Sequence, residues 1–148
     1  MHYTRWLVPQ QMLDSSIPHN DLYIGCTELL AVVMCFYTFR SMLVDSYWTC
    51  YIDNDGVLAA LLKGSISMRA LDLNQIVGKL WLEIARAGTC FHGARVESKA
   101  NLADIPTREE SMKLMSDLGA VWHNPVLPDW MSQFWLQPGS TDSCAARP

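Results

Sequence analysis

The stretch Tyr47-Trp48-Thr49-Cys50-Tyr51-Ile52-Asp53-Asn54 decides how this chain is read. Its first six residues are rich in aromatic and β-branched side chains, which suits a strand set in a half-buried sheet. An acid then ends the run. Asn54 or Asp55 can cap a short helix over Gly56 to Lys63, which Gly64 closes in a left-handed turn. Strand, acid, cap and helix in succession make half of a βαβ unit. A carboxylate at the C-terminal tip of such a strand stands where α/β proteins place chemistry, because the strand fixes the backbone and the tip faces the crevice. Asp53 is thus the first candidate residue.

The flanking sequence extends the pattern in both directions. Downstream, Leu73, Ile76, Val77, Leu80, Trp81 and Ile84 form one stripe of an amphipathic helix over Leu71 to Ala87, ended by Gly88. Thr89 to Val96 reads as the next strand, so a right-handed parallel crossover is expected. Upstream, Thr27 can cap a helix from Glu28 to about Met42 that is apolar on most sides and therefore buried. Glu28 would then lie in the first turn, where the helix dipole alone favours a carboxylate. His2 to Val8 reads as one strand, and Asp14 to Asn20 as a loop.

Beyond Val96, Glu97 to Ala100 is a polar loop, and Thr107 with Glu110 forms a capping box for a helix over Arg108 to about Leu118. Pro125, Pro128 and Pro138 stand among Trp122, Trp130 and Trp135, as in an extended arm laid on a surface by its aromatics. The expected organisation is one domain over residues 1–120 and an arm over 121–148 whose end is disordered.

Composition narrows the function classes. A chain of 148 residues with 50% hydrophobic and 18% charged residues is long and apolar enough for one globular core. The longest apolar run, Leu29 to Tyr37, is too short to cross a bilayer, and no basic region precedes an apolar one at Met1, so an intracellular protein, cytoplasmic or nuclear and without membrane contact, is expected. A net charge of −4 disfavours a module that holds nucleic acid by phosphate neutralisation alone. The five cysteines include no C-x-x-C pair and are expected to be buried, reduced thiols. The four histidines are scattered, and His92 reads as structural.

Three motifs carry a resemblance. Tyr23-Ile24-Gly25-Cys26-Thr27-Glu28-Leu29-Leu30-Ala31-Val32, then Ile52-Asp53-Asn54, then Val96-Glu97-Ser98-Lys99-Ala100-Asn101-Leu102-Ala103-Asp104-Ile105-Pro106-Thr107-Arg108 resemble, in order and spacing, the ribonuclease H domain that follows the reverse transcriptase of tyrosine-recombinase and related retroelements. The likeness spans about residues 21 to 120. It implies an α/β fold with a mixed sheet flanked by helices, RNA-strand hydrolysis of RNA–DNA hybrids, and Mg²⁺ held by Glu28, Asp53 and Asp104, with Asn54 and Asn101 flanking these acids. It also implies, as partner, the remainder of a retroelement polyprotein. Two-metal hydrolysis requires hard oxygen ligands, which explains the residue types.

The resemblance departs at the front. The family's sheet opens with three antiparallel strands, the first of which carries a further Asp and pairs with the strand that bears the Asp53 position. Here only one strand fits before Glu28, and His2 to Val8 holds no acid. The expectation is a ribonuclease H-like domain lacking its first one or two strands and catalytically incomplete as an isolated chain, with an active Mg²⁺-dependent enzyme and a non-catalytic interaction module using the tryptophan-rich tail as alternatives. The strand at His2 to Val8 is expected to take the vacant place beside Tyr47 to Ile52, since an open apolar edge invites pairing.

Overall fold

The computed structural model describes residues 1–8, 20–65, 71–107 and 112–134. Its architecture is α/β. In chain order the elements are β1 (His2–Tyr3), α1 (Asn20–Thr38), α2 (Arg40–Leu43), β2 (Tyr47–Ile52), α3 (Asp55–Lys63), α4 (Leu71–Arg86), β3 (Cys90–Arg95), α5 (Met112–Asp117) and β4 (Val121–Trp122). Short 3₁₀ turns cover Ser98–Ala100, Leu102–Thr107 and Asp129–Phe134.

β2 and β3 run parallel with Tyr47 opposite Cys90 and Ile52 opposite Arg95, so the βαβ reading of the central stretch holds. α3 begins at the Asn54 cap, whose Oδ1 accepts from the Gly56 and Val57 amides at 2.8 and 3.1 Å, and ends at Gly64 in the left-handed conformation. Alternation along β2 buries Trp48 and Ile52 and leaves Tyr47 and Tyr51 in solvent. Trp48 meets Phe36 of α1 at 5.7 Å between ring centroids and Phe91 of β3 at 5.0 Å. Trp81 of α4 meets the Phe91 ring in turn and donates its indole N–H to the Leu61 carbonyl of α3 at 2.9 Å. One aromatic chain therefore joins α1, β2, β3 and α4 around the buried Leu61, Val77 and Leu80.

Four expectations need correction. The N-terminal strand does not join β2: only His2–Tyr3 is strand, and it pairs in parallel with Val121–Trp122. Trp6 and Val8 instead pack, half-buried, against the core, so their apolar side chains are used without any main-chain pairing to β2. Second, α1 starts at Asn20 rather than Glu28, because Thr27, which reads as a cap, is carried inside a helix stabilised by its buried face. Third, the polar loop and the residues after it wind into 3₁₀ turns from Ser98 to Thr107, a conformation that short Asn- and Pro-containing stretches adopt and that leaves little periodic signal. Glu110, the second member of the expected capping box, lies outside the described residues, and the described part of that helix is Met112–Asp117. Fourth, the thiols are not uniformly buried: Cys90 is exposed, whereas burial pushes Cys35 and Cys50 up to about 11 and about 12, which keeps both protonated.

The segment after residue 120 contributes to the same core in its described part. Met131 is 1% exposed, Trp130 donates its N–H to the Tyr37 hydroxyl at 3.1 Å, and the Val126 amide donates to Thr38 Oγ1 at 2.9 Å. Among the described residues no helix is long and apolar enough to cross a membrane.

Candidate active site

Glu28, Asp53 and Asp104 come from three separate elements. Asp53 follows β2 directly, at the end of the half-buried strand that fixes its backbone. Glu28 lies on α1 three residues after Gly25, hence on the same face of the helix. A Cβ on Gly25 would come to 4.0 Å from the Val57 side chain in the first turn of α3, so this face of α1 passes close to the Asn54 cap. Asp104 arrives through the strand tip: the Val96 amide continues the ladder by donating to the Ile52 carbonyl at 3.1 Å, and the chain then turns through Ser98–Ala100. Asn101 Oδ1 accepts from the Ala103 amide at 3.1 Å and the Asp104 amide donates to the Asn101 carbonyl at 3.2 Å, which starts the turn that carries Asp104.

Both aspartates act on Glu28. The Glu28 carboxyl is held above its ordinary value, first by burial and then by the negative charge of Asp53, with a smaller push from Asp104; a hydrogen bond from the Asn54 side chain acts the other way. Since the Asn54 oxygen already caps α3, it is the amide NH₂ that serves Glu28. Oε2 of Glu28 is sealed from solvent and has no hydrogen-bond partner. Its position, two turns into α1, removes the helix-dipole explanation for the residue, because that effect fades beyond the first turn. Asn54 and Asn101 both cap, as their side-chain chemistry predicts, and Asn54 adds the contact to Glu28.

One neighbour escaped the sequence reading. Arg95 ends β3 opposite Ile52, and its Nε lies 2.7 Å from Asp55 Oδ1, so a cation stands at the same strand tips as Asp53. A basic residue closing the second strand of a parallel pair was the available signal. His92 is exposed on β3. Among the described residues no three His, Cys, Asp or Glu side chains are drawn into metal-holding geometry. The acids are near enough to act on one another's charge without converging on one coordination point.

A partly buried, repelled carboxylate is a cost to folding. With its folded value above the unfolded one, the ionised form of Glu28 destabilises the protein above the folded-state value, and the cost is relieved as pH falls through that value. Glu28→Gln is therefore expected to raise stability at pH 7 by on the order of 0.5–1 kcal/mol, the scale of a partly solvated charge interaction. The gain should fade in acid, as thermal melts across pH would record. A variant less stable than the parent at pH 7 would contradict the assigned repulsion. Comparison with protein-family models, with curated proteins and with solved structures finds no match to this chain.

Proposed function

We propose that this is a ribonuclease H-like domain, related to retroelement reverse transcriptases, whose Glu28, Asp53 and Asp104 take divalent cations and act on the phosphodiester backbone of an RNA–DNA hybrid. The observation that supports the reading is that the Glu28 carboxyl is held above its ordinary value in part by the charges of Asp53 and Asp104, acids from three separate sequence motifs. Hard oxygen donors and the orphaned Oε2 of Glu28 suit Mg²⁺. Two such ions, when bound, activate the attacking water and stabilise the leaving oxygen. The chain's own residues supply the rest. β2 fixes Asp53 and the Asn54 amide orients Glu28, while Arg95, at the tip of β3, is engaged by Asp55.

Hydrolysis by the chain alone is expected to be weak. Among the described residues no fourth carboxylate acts on Glu28, and Asp55, the acid nearest Asp53 in sequence, is occupied by Arg95. The test is hydrolysis of a labelled RNA–DNA hybrid with Mg²⁺ or Mn²⁺, alongside thermal melts with the same ions. The expected outcome is a cation-dependent rise in Tm that Asp53→Asn abolishes, with little cleavage. Robust cleavage lost in Asp53→Asn would make the chain a competent enzyme. The absence of both a Tm shift and cleavage would overturn the reading. The interaction-module alternative has no support of its own, since Trp130 packs on its own domain against Tyr37, with the Lys79 ammonium over its indole at 5.0 Å; Trp135 lies outside the described residues.

A further inference from the structure

Away from the acids, two imidazoles meet where β1 pairs with β4. The register places His2 opposite Val121 and Tyr3 opposite Trp122, with the Val121 amide donating to the Met1 carbonyl and the His123 amide to the Tyr3 carbonyl, each at 2.9 Å. His123 is two residues beyond Val121, so the alternation of the strand puts it on the same face as His2. The rings stand 5.0 Å apart between centroids, and His2 Nδ1 lies 2.8 Å from His123 Nε2. The edge contact of His123 with Phe39, at 5.2 Å, fixes the second ring, while His2 is exposed and open to solutes.

We propose that His2 Nδ1 and His123 Nε2 form a two-histidine site for a tetragonal transition-metal ion, Cu(II) above all, in which the metal takes the place of the proton between the rings and that proton moves to the outer nitrogen of the donating imidazole. The separation of the nitrogens, set by their hydrogen bond, already suits one coordination geometry. Two nitrogens at about 2.0 Å from an ion lie about 2.8 Å apart at the right angle of a square-planar site, but about 3.3 Å apart at a tetrahedral angle. The observed 2.8 Å matches the first. Imidazole suits Cu(II), which also heads the divalent affinity series. Solvent fills the remaining positions. Because the ligands come from strands at opposite ends of the described chain, the ion would clasp β1 onto β4 and stabilise that pairing by mass action.

The test is titration of the tag-free full chain with Cu(II) in a non-chelating buffer, followed by calorimetry, by quenching of Trp122 and by electron paramagnetic resonance. One Cu(II) per chain is expected, with two imidazole nitrogens in the resonance spectrum of the unaltered protein, a readout that needs no variant to fold. Affinity should fall by about tenfold or more in His2→Ala and in His123→Ala, as loss of one of two protein ligands requires, and stay unchanged in His92→Ala. Zn(II) should bind more weakly. Affinity unaffected by either ligand substitution, a single coordinated nitrogen, or Zn(II) binding as tight as Cu(II) would overturn the assignment.

Discussion

Phe36→Ala is expected to destabilise the protein by about 4 kcal/mol, within the range for phenylalanine truncation in a core. The Phe36 ring is fully buried, lies against Trp48 of β2, and carries the Arg40 guanidinium at 5.8 Å from its centroid. It is thus the side chain through which the helix bearing Glu28 rests on the strand leading to Asp53. Removing it leaves a cavity at that junction, and the surrounding aromatics cannot collapse into it without moving the Trp48–Phe91 contact. Total stability of a domain is on the order of 5–15 kcal/mol, so the loss is a large part of the whole. Denaturant titration measures it. A loss below about 1.5 kcal/mol, less than the transfer of the ring alone, would show that this junction does not hold the core.

Gly88→Val is expected to cost about 3 kcal/mol, from two sources that act together. Gly88 has φ +64, a conformation a β-branched residue resists, and a Cβ built there would overlap the Asp45 carboxylate. The surroundings leave no easy escape. Asp45 is itself at positive φ and its amide donates to the Ala87 carbonyl at 2.9 Å, while Thr89 Oγ1 and Ser46 Oγ both donate to the Leu43 carbonyl at 2.7 Å. These bonds tie the end of α4 to the turn before β2, and the next one, from the Cys90 amide to the Ser46 carbonyl at 2.8 Å, sets the Tyr47–Cys90 register. The variant should lower Tm and accelerate amide exchange at Cys90. A variant within about 1 kcal/mol of the parent would mean that the turn relaxes freely.

The parts legible in the sequence are those whose signal is local. Tyr47–Ile52 declares itself by composition, α3 by Asn54 and Gly64 at its two ends, and α4 by an apolar stripe that falls on Ile76, Val77, Leu80 and Ile84. The start of α1 was not legible, because the helix runs through Thr27, whose local cap signal is overridden by the buried face formed by Leu29, Leu30, Val33 and Phe36. The partner of β1 was hidden for the same cause: pairing between residues more than a hundred positions apart is decided by where the helices leave the ends. Of the candidate site, Asp53 could be derived from its position alone. Glu28 and Asp104 entered through a family likeness, and their mutual effect on charge is visible only once the three elements are folded.

Asn54 has an effect beyond orientation. One amide group makes two sets of contacts, its oxygen closing the first turn of α3 and its nitrogen reaching Glu28. Drawing the Glu28 carboxyl away, by a bound cation or a change of charge, would remove one of these contacts and leave the cap alone to hold the amide. The hydrogen-exchange rates of the Gly56 and Val57 amides are where an effect on the start of α3 would be read.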